Sequence, residues 1–96
     1  MKNHIIDGAT ITNWESFHDK FALEFKFPGY YGRNMDAWVD CMSDLIEPIS
    51  LQIENVGILK KENKEIYDAL VECSAFINWS IVDEGNDPII SLSYYA

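Results

Sequence analysis

Asp36, Asp40 and Asp44 recur at every fourth position, with Glu47 three residues beyond. Residues four apart on a helix share a face, so these carboxylates form a row if the segment is helical. Aligned carboxylates suit three kinds of chemistry. Paired acids can exchange protons with a substrate, which needs a cleft and a shifted pKa. They can hold a divalent cation, which needs ligands converging from several elements. Asp36, Asp40 and Glu72 meet that condition only if two helices lie side by side. The third option is mimicry. A row of anions next to an aromatic ring, here Tyr30, resembles a short piece of nucleic acid, and a nuclease site lined with Arg, Lys and His would accept it.

Helix stability does not explain the row. Like charges at four-residue spacing cost roughly 0.2–0.5 kcal/mol per pair. Asp is about 0.5–0.7 kcal/mol worse than Ala inside a helix. Asp44 also falls near the negative end of the helix dipole, and no Lys or Arg stands four residues away. Local rules that fail together often mark a functional surface. A solvated acidic face in an acidic protein is the plain alternative.

The elements that must position the row follow from periodicity. Residues 4–6 read as a strand, closed by Asp7-Gly8. Thr12 three residues before Glu15 is a capping-box pattern that opens a helix, and Trp14, Phe17, Phe21 and Phe25 form its core stripe. Pro28-Gly29 closes that segment. A second helix spans about 34–45, with Met35, Trp38, Met42 and Leu45 on its buried face, the carboxylates on another and Val39 between. Pro48 precedes a strand over 49–54. Residues 56–59 form a short helical turn, and 60–64 a solvated helix start. A third main helix buries Ile66, Leu70, Cys73 and Ile77 and shows Glu65, Asp68 and Glu72 to solvent. Beyond Trp79 the pattern turns extended, so 80–83 reads as strand, 84–88 as a turn and 89–92 as a final strand. Strands alternating with helices predict an α/β domain with about three parallel strands and three to four helices.

The 96 residues suit a single domain over 1–96. The formal net charge is -9, which disfavours direct binding of nucleic acid and favours a basic partner drawn in by charge. Cys41 and Cys73 show neither Cys-x-x-Cys nor zinc-ligand spacing and read as small core residues in a reducing compartment. No segment approaches a membrane span and the first residues open no long apolar run, so a cytoplasmic location is expected. His4 falls in a strand and His18 on the polar side of its helix. Neither adjoins a Ser or Cys in a hydrolase motif, and no glycine-rich phosphate loop is present. An enzyme, a cofactor and a bound metal are therefore not expected.

Residues 27–41, Phe-Pro-Gly-Tyr-Tyr-Gly-Arg-Asn-Met-Asp-Ala-Trp-Val-Asp-Cys, resemble the signature of barstar-like ribonuclease inhibitors. The matching run covers about a sixth of the chain, and the order of elements on either side agrees. The resemblance implies a three-stranded parallel sheet packed with helices, in a protein that blocks a ribonuclease. It implies that the helix after the Tyr-Tyr-Gly loop enters the nuclease site. Asp40 would then fill the catalytic phosphate pocket, Asp36 would meet the basic wall beside it, and Tyr30 would pack near the catalytic histidine. Tyr31 is implied as partly a packing residue, and Gly32 and Asn34 as shapers of the turn and helix start. Glu72 is the nearest counterpart of a glutamate on a later helix that adds a peripheral salt bridge.

The sequence departs from the family pattern at the rim. Val39 stands where a tryptophan is frequent, with Trp38 one residue earlier. Asp44 replaces a typical glycine, and Leu45 an exposed aromatic. These changes point to a nuclease other than the extracellular enzymes bound by the best-known members, for instance the tip of an intercellular delivery toxin. The family can hold the proline before its second strand in cis, but the segment at Glu47-Pro48 is one residue shorter, so trans is expected. The partner-binding set is thus Tyr30, Tyr31, Gly32, Asn34, Asp36, Val39, Asp40, Ser43, Asp44 and Glu72. The partner expected is a basic nuclease toxin in a 1:1 complex, with this chain as its immunity protein. The alternative is an acidic adaptor that docks a basic protein without blocking it.

Overall fold

The computed structural model describes residues 2–96. Strand β1 (Lys2–Asp7) turns His4 and Ile6 inward by strict alternation. A 3-10 turn (Gly8–Thr10) leads to helix α1 (Trp14–Phe25). Helix α2 (Met35–Ser43), strand β2 (Ile49–Glu54), helix α3 (Val56–Glu62), helix α4 (Lys64–Asp83) and strand β3 (Ile90–Tyr94) complete the order. The sheet runs β1-β2-β3 and is all parallel. The expected fold is therefore the observed one, with four helices on a three-stranded sheet. Lys2 faces Ile49 and Asp7 faces Glu54 across one ladder; Ile49 faces Ile90 across the other. β2 is central, and its Ile49, Leu51 and Ile53 are buried. No helix among the described residues is long and apolar enough to cross a membrane.

Phe17 and Phe21 of α1, Trp38 and Met42 of α2, and Leu70 and Ile77 of α4 fill the core beside these strand residues. The aromatic stripe of α1 is thus core, with Trp14 and Phe25 half-buried at its ends. Gly8 is held by space. A Cβ there would lie 2.9 Å from the Glu54 carbonyl oxygen and 3.1 Å from Leu59 Cβ.

Several expectations change. The α1 cap is not Thr12 with Glu15 but Asn13 with Ser16. Asn13 Oδ1 accepts from Ser16 N at 2.8 Å and Ser16 Oγ accepts from Asn13 N at 3.1 Å. His18 is buried rather than on a polar side, because the segment after α1 folds back over it. Lys60 and Lys61 end α3 instead of starting the next helix.

The largest change is at 80–83, which is the last turn of α4 and not strand. Gly85, at φ 91°, ends the helix. Gly85 N donates to the Val82 oxygen and Asn86 N to the Ile81 oxygen, at 2.9 and 3.1 Å, the paired bonds of a Schellman cap. Peptide bonds are trans throughout the described residues, Glu47–Pro48 included.

Candidate functional site

The row of carboxylates is held by a short helix and an aromatic loop. α1 stops at Lys26, whose φ of 54° is left-handed. Tyr31 N then donates to the Pro28 oxygen at 2.9 Å, turning the chain so that adjacent tyrosines face opposite ways. Tyr31 is buried against Phe27, with ring centroids 4.7 Å apart, and its hydroxyl meets His18 Nδ1 at 2.5 Å. Tyr30 is 89% exposed. Burial pushes the Tyr31 hydroxyl up to about 12 and pulls His18 down, with Arg33 adding to the latter. A neutral imidazole and a neutral phenol therefore pin the loop at neutral pH.

Arg33 fastens the loop's far side, a role the sequence reading missed. Its Nη2 donates to Asp19 Oδ1 at 2.7 Å and to the Glu15 carbonyl oxygen at 3.1 Å. Asn34 caps α2, its Oδ1 accepting from Ala37 N at 2.8 Å. Such caps contribute about 1 kcal/mol. Gly32 keeps the approach close: a Cβ there would lie 3.3 Å from Ala37 Cβ.

The His18 pairing has a pH signature. Its folded pKa lies below the ordinary 6.5, so the unfolded chain takes up a proton first as pH falls. The stability that neutral His18 contributes is complete above about pH 6.5 and is lost as pH drops through that value toward the folded pKa. Urea unfolding of the wild type is expected to weaken from about pH 7 to about pH 5, and His18→Gln to show a smaller drop. Equal drops in the two proteins would refute a buried, neutral His18.

On α2, Asp36 and Asp40 are exposed and Val39 is half-buried between them. α2 packs against α4. Asp36, Val39 and Asp40 form one side of a groove of about 450 Å³, and Glu72, Cys73 and Phe76 the other. A second hollow of about 390 Å³ is lined by Tyr30, Asp44, Leu45 and residues around Phe27. Asp40 lines both. It is the ridge between an aromatic hollow and an acidic groove.

The remaining expected residues sort by position. Glu72 reaches the groove, and Asp44 reaches the aromatic hollow as the C-cap of α2. Tyr31 is buried, and Gly32 and Asn34 are exposed but line neither hollow; all three shape the loop and the helix start. Ser43 is exposed and lines neither hollow. Glu47 leaves the row, because α2 stops at Ser43; it borders a hollow with Lys2, His4 and Glu24 instead.

The chemistry available is anionic. Among the described residues no three His, Cys, Asp or Glu side chains group to hold a metal ion, although the two helices do lie together. Cys41 and Cys73 are free, and burial pushes both thiols up, with Asp44 and Asp40 adding to the first and Glu72 and Asp36 to the second. Both therefore stay protonated and weakly nucleophilic.

Residues 1–93 match the family model described as Barstar (barnase inhibitor). The chain belongs to the barstar family. It is 41% identical over 56 residues to a Bacillus subtilis (strain 168) protein named "Putative ribonuclease inhibitor YrdF". That alignment spans 57% of this chain and 62% of the relative, less than two thirds of its length. In this barstar-family chain the loop after α1 and helix α2 carry Tyr30, Asp36 and Asp40 to the surface.

Proposed function

We propose that this barstar-family chain inhibits a basic ribonuclease by laying α2 over its active site. The observation that carries the reading is the place of Asp40. It stands exposed between an aromatic hollow and an acidic groove, so an inserted ridge would put one carboxylate in a phosphate pocket. Asp36 and Glu72 would face the basic wall on one side, with Tyr30 and Asp44 on the other. Occlusion requires no chemistry from the inhibitor and no cofactor.

The net charge of -9 supports fast capture. Complementary charge steers encounter and raises association rates, more so at low salt. A cell that makes a nuclease needs such speed, which favours a 1:1 immunity complex in the cytoplasm with a toxin. The rim residues Val39 and Asp44 are where its identity is read.

The test is inhibition. The purified chain is to be mixed with barnase and, separately, with the nuclease product of an adjacent gene. RNA cleavage by one of them is expected to fall to zero at one equivalent. Cleavage of RNA by both at full rate with the chain in excess would sink the reading, and binding without loss of cleavage would mark an adaptor instead.

A further inference from the structure

The surface of α4 continues past the groove. Glu72, Phe76, Trp79 and Asp83 follow one another at spacings of four, three and four, so they share one face of the helix. All four are exposed, Phe76 by 54% and Trp79 by 63%. The two rings stand 6.2 Å apart between centroids and are tilted by 32°. Glu72 and Phe76 are at once walls of the acidic groove and the first two members of this stripe.

Stability does not account for that pattern. Two large aromatic rings are left in solvent beside each other. Asp83 closes the helix at its negative end, where an acid is unfavourable. From Glu65 to the end of the chain there is no Lys, Arg or His, so nothing in this stretch neutralises the stripe. Of the lysines just before it, Lys64 pairs with Asp68 at 2.7 Å and Lys60 lies 5.5 Å from the Tyr67 ring centroid.

We propose that the Glu72–Phe76–Trp79–Asp83 face is an arginine-stacking site, in which guanidinium groups of the basic partner lie on the two rings, one over Phe76 pairing with Glu72 and one over Trp79 pairing with Asp83. The partner is the nuclease if the inhibitor reading holds, and the proposal rests on that reading only for its identity. Arginine is the fitting cation. Its planar head stacks on aromatic faces and forms paired hydrogen bonds with carboxylates, whereas lysine is a compact, strongly hydrated point charge. The stripe thus extends the footprint from α2 onto α4 and selects arginine over charge alone.

A hexa-arginine and a hexa-lysine peptide separate these terms without any nuclease. Binding is read by tryptophan fluorescence and backbone amide shifts at moderate salt. Trp38 is fully buried and Trp14 half-buried, so Trp79 is the tryptophan most open to a quencher. The arginine peptide is expected to bind at least about threefold tighter, with shifts centred on residues 72–83. Phe76→Leu with Trp79→Leu keeps the charge and apolar bulk, and is expected to abolish that preference while leaving the melting temperature unchanged. Equal affinity for both peptides, shifts confined to α2, or a preference surviving in the double variant would each overturn the site. Inhibition of RNA cleavage is measured apart, so loss of the nuclease reading with the arginine preference intact would leave an arginine site for another basic partner.

Discussion

Asp40→Ala is expected to weaken nuclease inhibition at least ~30-fold and to make the free chain more stable. The loss corresponds to ~2 kcal/mol or more, the lower bound for interfacial hot spots. Barnase with barstar is itself the reference system for such truncations, so the size is carried over from the family and not built from distances in this chain. The gain in stability is local. Asp40 lies four residues from both Asp36 and Asp44, and removing it relieves two repulsions of about 0.2–0.5 kcal/mol each. Alanine adds about 0.5–0.7 kcal/mol in helix propensity. Inhibition constants and urea midpoints should therefore move in opposite directions. Unchanged inhibition would remove Asp40 from the mechanism.

Asp36 is the instructive contrast. It sits in the first turn of α2, where a carboxylate is favoured by the helix dipole. Its presence has a structural reason beside any functional one. Asp40, mid-helix and flanked by acids, has none. The opposed response to substitution is thus expected at Asp40 and not at Asp36.

How much of this was legible depends on where the deciding contacts lie. β2 is read correctly at both ends because Pro48 and alternating apolar residues are local signals. The acidic face of α2 is legible for the same reason. The last turn of α4 is not, because Ile81 and Val82 favour strand locally while the tertiary structure holds them in helix. Asn78 shows why. Its Oδ1 accepts from Ile89 N and Ile90 N at 3.1 and 3.0 Å, and its Nδ2 donates to the Ile90 oxygen at 2.8 Å. Those bonds tie α4 to β3 across a distance no periodicity reveals. Gly85 was the available sign of a later stop.

His18 fails in the same manner. Its polarity argues for an outer face, and only the return of Tyr31 makes a buried imidazole tolerable. Arg33 likewise reads as a loop cation until Asp19 and Glu15 are seen beside it. The sequence did show the row of carboxylates on α2. What it could not show was that Asp40 borders two hollows, since one of them needs α4 and the other needs the loop after α1.

Trp38→Ala is expected to destabilise the chain by about 3–5 kcal/mol, the cost of emptying a large buried aromatic site. Trp38 is fully buried, and its ring lies edge-on to Phe21 at 5.5 Å and 6.3 Å from Phe17. α2 has only nine residues, too few to persist as an isolated helix, so its order comes from this packing. The loss is a large part of the ~5–15 kcal/mol available to a small domain. Trp38→Phe keeps most of the ring volume, and Trp38 Nε1 makes no hydrogen bond to the protein that the change would break. It should therefore cost well under half as much. A Trp38→Ala chain as stable as the wild type would mean that α2 is held by other contacts. Set beside Asp40→Ala, the variant separates two ways of losing inhibition. One keeps the helix and removes the charge it presents. The other keeps every carboxylate and removes the packing that aims them, so its inhibition should recover when the fold is restored by Trp38→Phe, which no change at the charged face can imitate.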